Sequence, residues 1–237
     1  MLELRELVKR YQLGGGEPVS AVDGVSLEVH AGEFVALYGP SGSGKTTLIE
    51  LIAGLKAPDS GSVLVAGRDV AHMSRRQAAN YRLRELGMIM HPQTLIPGAR
   101  TIDNASLKLL LADVRSAGRK IEPLLAQLGL GDRLRHRTEQ LSMGERQRVL
   151  IALALSTDPK LVLADEPTAS LDTHNTRKIL GVLRDLSRAR NMALLLATHD
   201  PEAAAFADSV YELRDGRLHA YEPEHAHPPL NSPLARA

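Results

Sequence analysis

A glycine-rich loop between two apolar segments constrains this chain most. Residues 39–46 read GPSGSGKT, a complete phosphate-binding loop. The loop follows the apolar run Phe34–Leu37 and opens into the apolar-rich run Thr47–Ala53, as expected of a turn from a strand into a helix. Backbone N–H groups in such a turn converge on phosphate oxygens at the positive end of the helix dipole. The pattern predicts ATP or GTP binding, and the flanking strand and helix argue against the alternative, a chance Gly/Ser-rich helix cap.

The residue types in this loop predict particular contacts with a polyphosphate. Its glycines let the backbone approach the ligand closely. Lys45 can reach the β- and γ-phosphates, and the hydroxyl of Thr46 can ligate the Mg²⁺ that bridges them. The predicted nucleotide contacts are Gly39, Pro40, Ser41, Gly42, Ser43, Gly44, Lys45, Thr46 and Thr47.

Composition favours a single α/β body with a subdomain. The chain has 237 residues, of which 43% are hydrophobic and only 3% aromatic, so aliphatic packing around a mostly parallel sheet is expected. The absence of cysteine excludes disulfides and thiolate chemistry. A net charge of +1 provides no overall basic field for nucleic acid, so no nucleic-acid partner is predicted. No signal-peptide core and no run near the ~18–20 apolar residues of a membrane span is found, so the chain is not expected to cross a membrane.

Short apolar runs predict eight strands, with helices after several of them. The pair Asp215 and Gly216 predicts a hairpin turn, which adds an antiparallel element. The residues from Tyr221 onward are rich in Pro and His and predict a disordered tail rather than a metal site. The predicted strands lie near Leu2–Val8, Val25–Val29, Phe34–Leu37, Val63–Val65, Leu86–Met90, Leu161–Leu163, Ala193–Ala197 and Ser209–Leu213.

A second site is predicted where the apolar run Leu161–Ala164 ends in Asp165 and Glu166. Carboxylates at the end of a buried strand reach the edge of the sheet where α/β folds bind ligands. Asp165 would belong to the Mg²⁺ shell, and Glu166 would orient or deprotonate the water that attacks the γ-phosphate. Taken alone, the two acids could instead cap the next helix, but the phosphate-binding loop in the same chain argues against that alternative.

Three ordered motifs resemble the nucleotide-binding domain of ABC transporters over about nine-tenths of the chain. They are the loop at 39–46, the strand ending at Asp165 and Glu166, and between them the segment Leu141–Arg148, which reads LSMGERQR and is called the signature segment below. The run from Ala164 to Asp172 is most similar to the lipoprotein-release and macrolide-efflux ATPases. The resemblance implies an α/β P-loop NTPase core with an antiparallel β subdomain and an inserted helical subdomain. The implied bounds are 1–220 for the ATP-binding domain, about 91–157 for the helical insertion and 221–237 for the tail.

The resemblance also implies roles for further residues. Tyr11 matches the aromatic residue that stacks on adenine, and His199 matches the switch histidine that contacts the γ-phosphate. Ser142 and Gly144 match signature positions that bind the γ-phosphate of the opposite site in a dimer, and Asp172 matches the loop that links the two sites. Ser142 and Glu145 also form a plain capping box, so helix initiation competes as an explanation.

Two positions depart from the family pattern. Met143 stands where the signature normally has a first glycine, which places a long side chain where close backbone approach is expected. His91 occupies the slot of the Mg²⁺-sensing glutamine, and Gln93 lies two positions later, so either could contact the metal site.

The resemblance implies an ATPase that drives a separate integral-membrane subunit from the cytoplasmic face of the inner membrane. ATP and Mg²⁺ are the implied ligands, and a second ATP-binding subunit would complete a homodimer or heterodimer. The substrate class implied by the subfamily is lipoprotein, lipid-like or amphiphilic molecules for export or extraction. Residues Leu95, Ile96 and Ile102 of the helical segment would lie either at the interface with the membrane subunit or in the core.

The alternative function is a degenerate, weakly hydrolysing or non-hydrolysing regulatory half of a heterodimer. A ribosome-acting ABC protein and a small-molecule kinase fit the motifs less well.

Overall fold

The computed structural model describes residues 1–12, 18–90, 95–169 and 171–221. Ten strands run through this part of the chain: β1 Leu2–Tyr11, β2 Val19–Val29, β3 Phe34–Tyr38, β4 Ser60–Val65, β5 Arg68–Asp69, β6 Leu86–Ile89, β7 Leu161–Asp165, β8 Ala193–Thr198, β9 Ser209–Arg214 and β10 Arg217–Ala220. Seven α-helices accompany them: α1 Lys45–Ile52, α2 Arg75–Arg84, α3 Thr101–Leu111, α4 Ala117–Gln127, α5 Met143–Leu155, α6 Thr173–Ala189 and α7 Pro201–Ala204.

The larger sheet has six strands in the order β10-β9-β3-β8-β7-β6, and all neighbours except β9 and β10 pair in parallel. Its central strands are continuous apolar runs because both faces of the sheet are covered. Alternate side chains enter two separate cores: Leu194 and Leu196 of β8 pack into one, and Leu195 packs into the other. The sheet therefore presents the carboxyl ends of β3, β7 and β8 at one edge, where loops can gather functional side chains.

The smaller sheet is antiparallel and has the order β2-β1-β4-β5. It packs into the same core as α1, which brings β1 and β2 beside the phosphate-binding loop. The α/β class, the mostly parallel sheet and the antiparallel β element are thus as predicted.

All eight predicted strands are present, and the predicted hairpin turn joins β9 to β10. Asp215 and Gly216 both have positive φ, 50° and 76°, as the tight turn requires. The prediction ended β1 at Val8 and began β2 at Val25, whereas the two strands continue pairing to Tyr11 and Val19. The extension was missed because polar residues and register shifts interrupt the apolar alternation there. The two-residue strand β5 has no pattern long enough to predict it.

Helices α3, α4 and α5 lie between β6 and β7 and share one core, which agrees with a helical insertion. The bounds of the insertion and of the ATP-binding domain stay predictions. Leu95 is buried in this core, Ile102 packs against it, and Ile96 is exposed, so core packing accounts for the first two. The predicted tail lies outside the described residues beyond Tyr221. In the part of the chain that is described, no helix combines the length and apolar character that a membrane span requires.

Candidate nucleotide-binding site

A cleft of about 430 Å³ opens at the carboxyl ends of β3 and β7. It is bounded by the phosphate-binding loop, the first turn of α1, the acidic end of β7 and one aromatic side chain. The residues that line it are Tyr11, Ala21, Ser41, Gly42, Gly44, Lys45, Thr46, Thr47, Asp165 and Glu166. The structure thus brings together residues predicted from two distant motifs, and it adds Ala21, which no motif pointed to.

Glycine is required in the loop because the loop lies against neighbouring backbone. A Cβ at Gly44 would overlap the carbonyl oxygen of Ala21, and a Cβ at Gly39 would overlap that of Leu213. Gly44 also has a φ of 106°, and Gly42 has a φ of 81° with open space around it. The loop therefore lies against the backbones of β2 and β9, and of its three glycines only Gly42 has open space for a Cβ. Within the described residues, the hydroxyl of Ser43 is buried without a hydrogen-bond partner.

This difference predicts unequal effects of two alanine substitutions. Gly42→Ala should cost about 1–2 kcal/mol of unfolding free energy, because an alanine is strained at positive φ. Gly44→Ala should cost roughly 1–3 kcal/mol more, because its Cβ forces backbone apart. Urea unfolding of the nucleotide-free chain measures both losses, and equal losses would contradict the steric account.

Lys45 lies in the first turn of α1 and is almost fully buried. Its Nζ donates to the carbonyl oxygens of Gly39 and Pro40, at 2.7 and 2.9 Å. Burial lowers the pKa of this ammonium group, and the carboxylates of Glu166 and Asp165 partly offset that effect. The positive charge is thus held beneath the loop, where phosphate oxygens would approach.

Asp165 is the last residue of β7 and lies next to Thr46. Burial raises the pKa of Asp165, while a hydrogen bond with the side chain of Thr46 and the charge of Lys45 act in the opposite direction. A carboxylate and a hydroxyl in contact are hard oxygen donors of the kind Mg²⁺ prefers alongside phosphate oxygens. The residues present therefore fit a magnesium ion.

The raised pKa of Asp165 predicts that Asp165→Asn stabilises the nucleotide-free chain at pH 7. A carboxyl whose pKa is higher in the folded state than its ordinary 3.8 binds protons more tightly when folded, so its ionisation costs stability as pH rises. We expect a gain in melting temperature of about 1–3 °C at pH 7. The gain should shrink as pH falls through the raised pKa towards 3.8. Thermal melts at several pH values test this, with Asp185→Asn on the exposed face of α6 as the control. A lower melting temperature for Asp165→Asn at pH 7 would contradict it.

Glu166 is fixed by contacts from the end of β8. Its Oε1 accepts the backbone N–H of His199 at 2.9 Å and lies 2.7 Å from Nδ1 of the same residue. Its Oε2 accepts the hydroxyl of Thr198 at 3.3 Å, and its own N–H donates to Ala197 at 3.0 Å. The backbone of Glu166 has a φ of 46°, a conformation held by these surrounding bonds. The predicted residues Glu166 and His199 are therefore joined by hydrogen bonds. Thr198 adds a third contact to Glu166 that was not predicted, although its position directly before His199 in the sequence could have suggested it.

Tyr11 reaches the cleft from the end of β1. Its hydroxyl accepts a hydrogen bond from Nζ of Lys56 at 2.9 Å, and the same ammonium lies 4.9 Å from the ring centroid. Lys56 is in turn paired with Glu50 at 2.8 Å. The ring is thus held at the mouth of the cleft, and stacking on a base stays a prediction.

The residues predicted to act across a dimer cap helices away from the cleft. Ser142 caps α5, since its hydroxyl accepts the N–H of Glu145 at 3.3 Å while the Glu145 carboxylate accepts the N–H of Ser142 at 2.8 Å. Asp172 caps α6 by accepting the N–H of Asn175 at 2.9 Å. Ser142 and Asp172 therefore both act as N-caps. Gly144 lies beside Asn175 of α6. Their role in a second nucleotide site stays a prediction.

The two departures from the family pattern differ in what the structure describes. Met143 is the first residue of α5, and 43% of its side chain is exposed. A long apolar side chain thus projects from the start of α5, the positive end of that helix's dipole. His91 and Gln93 lie outside the described residues, so the choice between them stays open.

Comparison with known proteins gives one family. Residues 22–169 match the family model described as ABC transporter. An uncharacterized ABC transporter ATP-binding protein of Thermotoga maritima is 41% identical over 94% of this chain and 95% of its own length. The lipoprotein-releasing system ATP-binding protein LolD 2 of Chlorobaculum tepidum is 39% identical over 93% of this chain and 92% of its own. The macrolide export ATP-binding/permease protein MacB of Rhodopirellula baltica is 42% identical, and the match covers 91% of this chain and 32% of that protein.

Among solved structures, the ATP-binding cassette MJ0796 superposes with a TM-score of 0.84 and is 29% identical. The match covers 96% of this chain and all of that one, which was solved as a dimer in a post-hydrolysis state bound to ADP and Pi. The fold, the cleft at the phosphate-binding loop and these similarities agree with one another. The chain belongs to the ABC transporter family, as an ATP-binding subunit with an ABC-type ATPase domain.

Proposed function

We propose that this subunit hydrolyses Mg²⁺-bound ATP as one half of a dimer and thereby drives a separate integral-membrane subunit. The observation that carries the proposal is the single cleft in which Lys45 and Thr46 face Asp165 and Glu166. Phosphoryl transfer needs positioning and charge stabilisation more than covalent chemistry, and these four side chains offer both.

Each of these side chains has a role consistent with its surroundings. Thr46 and Asp165 would hold Mg²⁺, which when bound offsets charge on the phosphate oxygens. Lys45 would turn its buried ammonium to the β- and γ-phosphates. Glu166 would orient the attacking water or accept its proton, with His199 and Thr198 holding its carboxylate in place.

The dimer follows from the same chemistry. The γ-phosphate is present in ATP and absent in ADP, so it alone can favour a closed pair of subunits over an open one. Ser142 and Gly144 would meet the γ-phosphate bound by the partner, since the positive end of α5 suits an approaching anion. Asp172 would lie between the two sites. The dimeric state of MJ0796 supports this arrangement.

We infer the substrate class from the relatives. Several relatives named lipoprotein-releasing system ATP-binding protein match over nearly their whole length. Export or extraction of lipoprotein, lipid-like or amphiphilic molecules is the function that these similarities favour. In such a role the chain would lie at the cytoplasmic face of the inner membrane, bound to its membrane subunit.

Purification of the tagged chain from membranes tests the coupling. We expect an integral-membrane protein to accompany it and to raise its ATPase rate when both are reconstituted in lipid vesicles. A chain recovered without any membrane protein, whose ATPase rate is unaffected by vesicles of the source membranes, would contradict the transport role.

The exposed side chain of Met143 favours a second candidate, the degenerate half of a heterodimer. In such a pair, the ATP on this chain's phosphate-binding loop would be contacted by an intact signature segment of a different partner chain. The other site, which contains this chain's own signature segment, would bind ATP weakly. Rapid turnover by the purified chain alone would exclude this candidate.

The same idea predicts that Met143→Gly accelerates ATP hydrolysis by the chain alone. Removal of the side chain lets the α5 backbone approach the partner's γ-phosphate. A gain of about tenfold corresponds to roughly 1.4 kcal/mol, close to the lower end of the range for one hydrogen bond to a charged group. Met143→Leu keeps the bulk and serves as the control. An unchanged or lower rate in the glycine variant would show that Met143 does not obstruct the signature.

A further inference from the structure

A second cavity, of about 300 Å³, lies between the end of α4, the start of α5 and α6. Its polar lining comes from Gln127, Arg148, Asn175 and Lys178, and its apolar lining includes Leu128 and Ile179. Among the described residues, no carboxylate lines it. Its size falls at the lower end of the range for small-ligand pockets. The cavity is therefore basic and shares no lining residue with the nucleotide cleft, although Gly144 of the signature segment also lines it.

Arg148 carries a polar atom that lacks a partner. Its Nε is sealed from solvent and has no hydrogen-bond acceptor among the residues that the structure describes. The end of its guanidinium group is confined by Gly129, where a Cβ would lie 3.4 Å from Nη1. A buried N–H without an acceptor costs free energy, and native proteins leave few of them unsatisfied. The same burial keeps a ligand away from Nε, so an anion in the cavity would meet the guanidinium group at its Nη end, which also has no ion pair or hydrogen bond with the described residues.

The remaining polar groups define what kind of anion fits. Lys178 is exposed on α6 at the rim of the cavity and has no ion pair within the described part of the chain. One of the two amide N–H groups of Asn175 is already used, since Nδ2 donates to Oδ2 of Asp172 at 2.6 Å. Two cations without a countercharge favour a doubly charged ligand over a single carboxylate. A guanidinium group also matches the oxygen spacing of a phosphate.

We propose that this cavity binds a small phosphate-type oxyanion between Arg148 and Lys178. The anion joins α5, whose first turn belongs to the signature segment, to α6, which begins at Asp172. Its source is either free phosphate, which hydrolysis itself releases, or the phosphate group of a small metabolite. The shared chemistry is a tetrahedral oxyanion with two negative charges.

Calorimetric titration of inorganic phosphate into the full chain tests the proposal. The titration uses the Lys45→Met chain without nucleotide, because its nucleotide cleft has lost the ammonium group that would hold phosphate there. An ATP analogue is left out, because Gly144, which also lines this cavity, would meet the γ-phosphate in a closed dimer. We expect saturable binding to one site per chain. Lys178→Gln and Arg148→Gln should each weaken it about tenfold, the effect of losing roughly 1.4 kcal/mol. Lys160→Gln, another exposed lysine, should leave it unchanged.

The variants separate binding from folding. Lys178 is exposed, so its substitution leaves the core intact, and Arg148→Lys retains the charge if Arg148→Gln unfolds the chain. Titration with glycerol phosphate distinguishes a metabolite source from free phosphate, and tighter binding of either one supports the site. Absence of phosphate binding, equal binding in the Lys178 and Arg148 variants, or acetate binding as tight as phosphate would overturn the proposal.

Discussion

Glu166→Gln should slow ATP turnover at least about a hundredfold while leaving ATP bound. Glutamine keeps the size of the side chain and one acceptor oxygen, but it cannot take a proton from water. A positioned general base contributes about 10²–10⁴-fold to a rate, and a loss in that range is expected here. The phosphate-binding loop is unchanged by the substitution, so binding of ATP should stay close to that of the unmodified chain.

The measurement combines a steady-state ATPase assay with nucleotide analysis of the purified protein. If closure depends on the γ-phosphate, the variant should also accumulate as an ATP-bound dimer in size-exclusion chromatography, because it cannot reach the ADP state. Glu28→Gln, an exposed glutamate on β2, serves as the matched control and should behave as the unmodified chain. Turnover within a few-fold of normal would remove Glu166 from the catalytic role. Absence of a trapped dimer would favour the regulatory alternative.

The surroundings of Glu166 also show why its position could not be derived from sequence. The motif predicted an acidic end of β7, and the parallel sheet followed from its apolar strands. The positive φ of Glu166 and its contacts with His199 and Thr198 depend on the register between β7 and β8, which no local pattern records. Two separately predicted residues are therefore seen to be joined by hydrogen bonds only in the structure.

Local patterns succeeded where the physical cause is itself local. The turn at Asp215 and Gly216, the helix after the phosphate-binding loop and the capping box at Ser142 depend on residues a few positions apart. Ala21 is the opposite case, since its carbonyl contacts Gly44 only because the smaller sheet packs against α1. The orphaned Nε of Arg148 is likewise a product of the packing of three helices. Features of this kind, which include the second cavity, depend on how distant elements pack together and so could not be predicted from the sequence.

Lys45→Met should weaken ATP binding itself, which separates it from Glu166→Gln. The methionine keeps a similar length but removes the only ammonium group among the residues lining the cleft. Loss of charge-assisted hydrogen bonds to phosphate, at about 1.5–3 kcal/mol in total, should weaken ATP affinity roughly 10–100-fold. Without nucleotide, the carbonyl oxygens of Gly39 and Pro40 also lose their donor, while the cost of burying a charge is removed. These opposing effects should leave the stability of the nucleotide-free chain within about 1–2 kcal/mol of normal.

Fluorescent-nucleotide titration and urea unfolding of the same preparations measure the two effects of Lys45→Met separately. Lys160→Met is the control for loss of an exposed lysine, and Lys45→Arg tests whether charge alone suffices. The larger, planar guanidinium group does not fit where the Lys45 side chain is only 7% exposed, so Lys45→Arg should fail to restore affinity. ATP binding within twofold of normal in Lys45→Met would show that the backbone N–H groups hold the phosphates without the lysine. A folded Lys45→Met chain with weakened ATP binding, beside a Glu166→Gln chain that binds ATP normally and turns it over slowly, would assign binding and hydrolysis to different residues of one cleft.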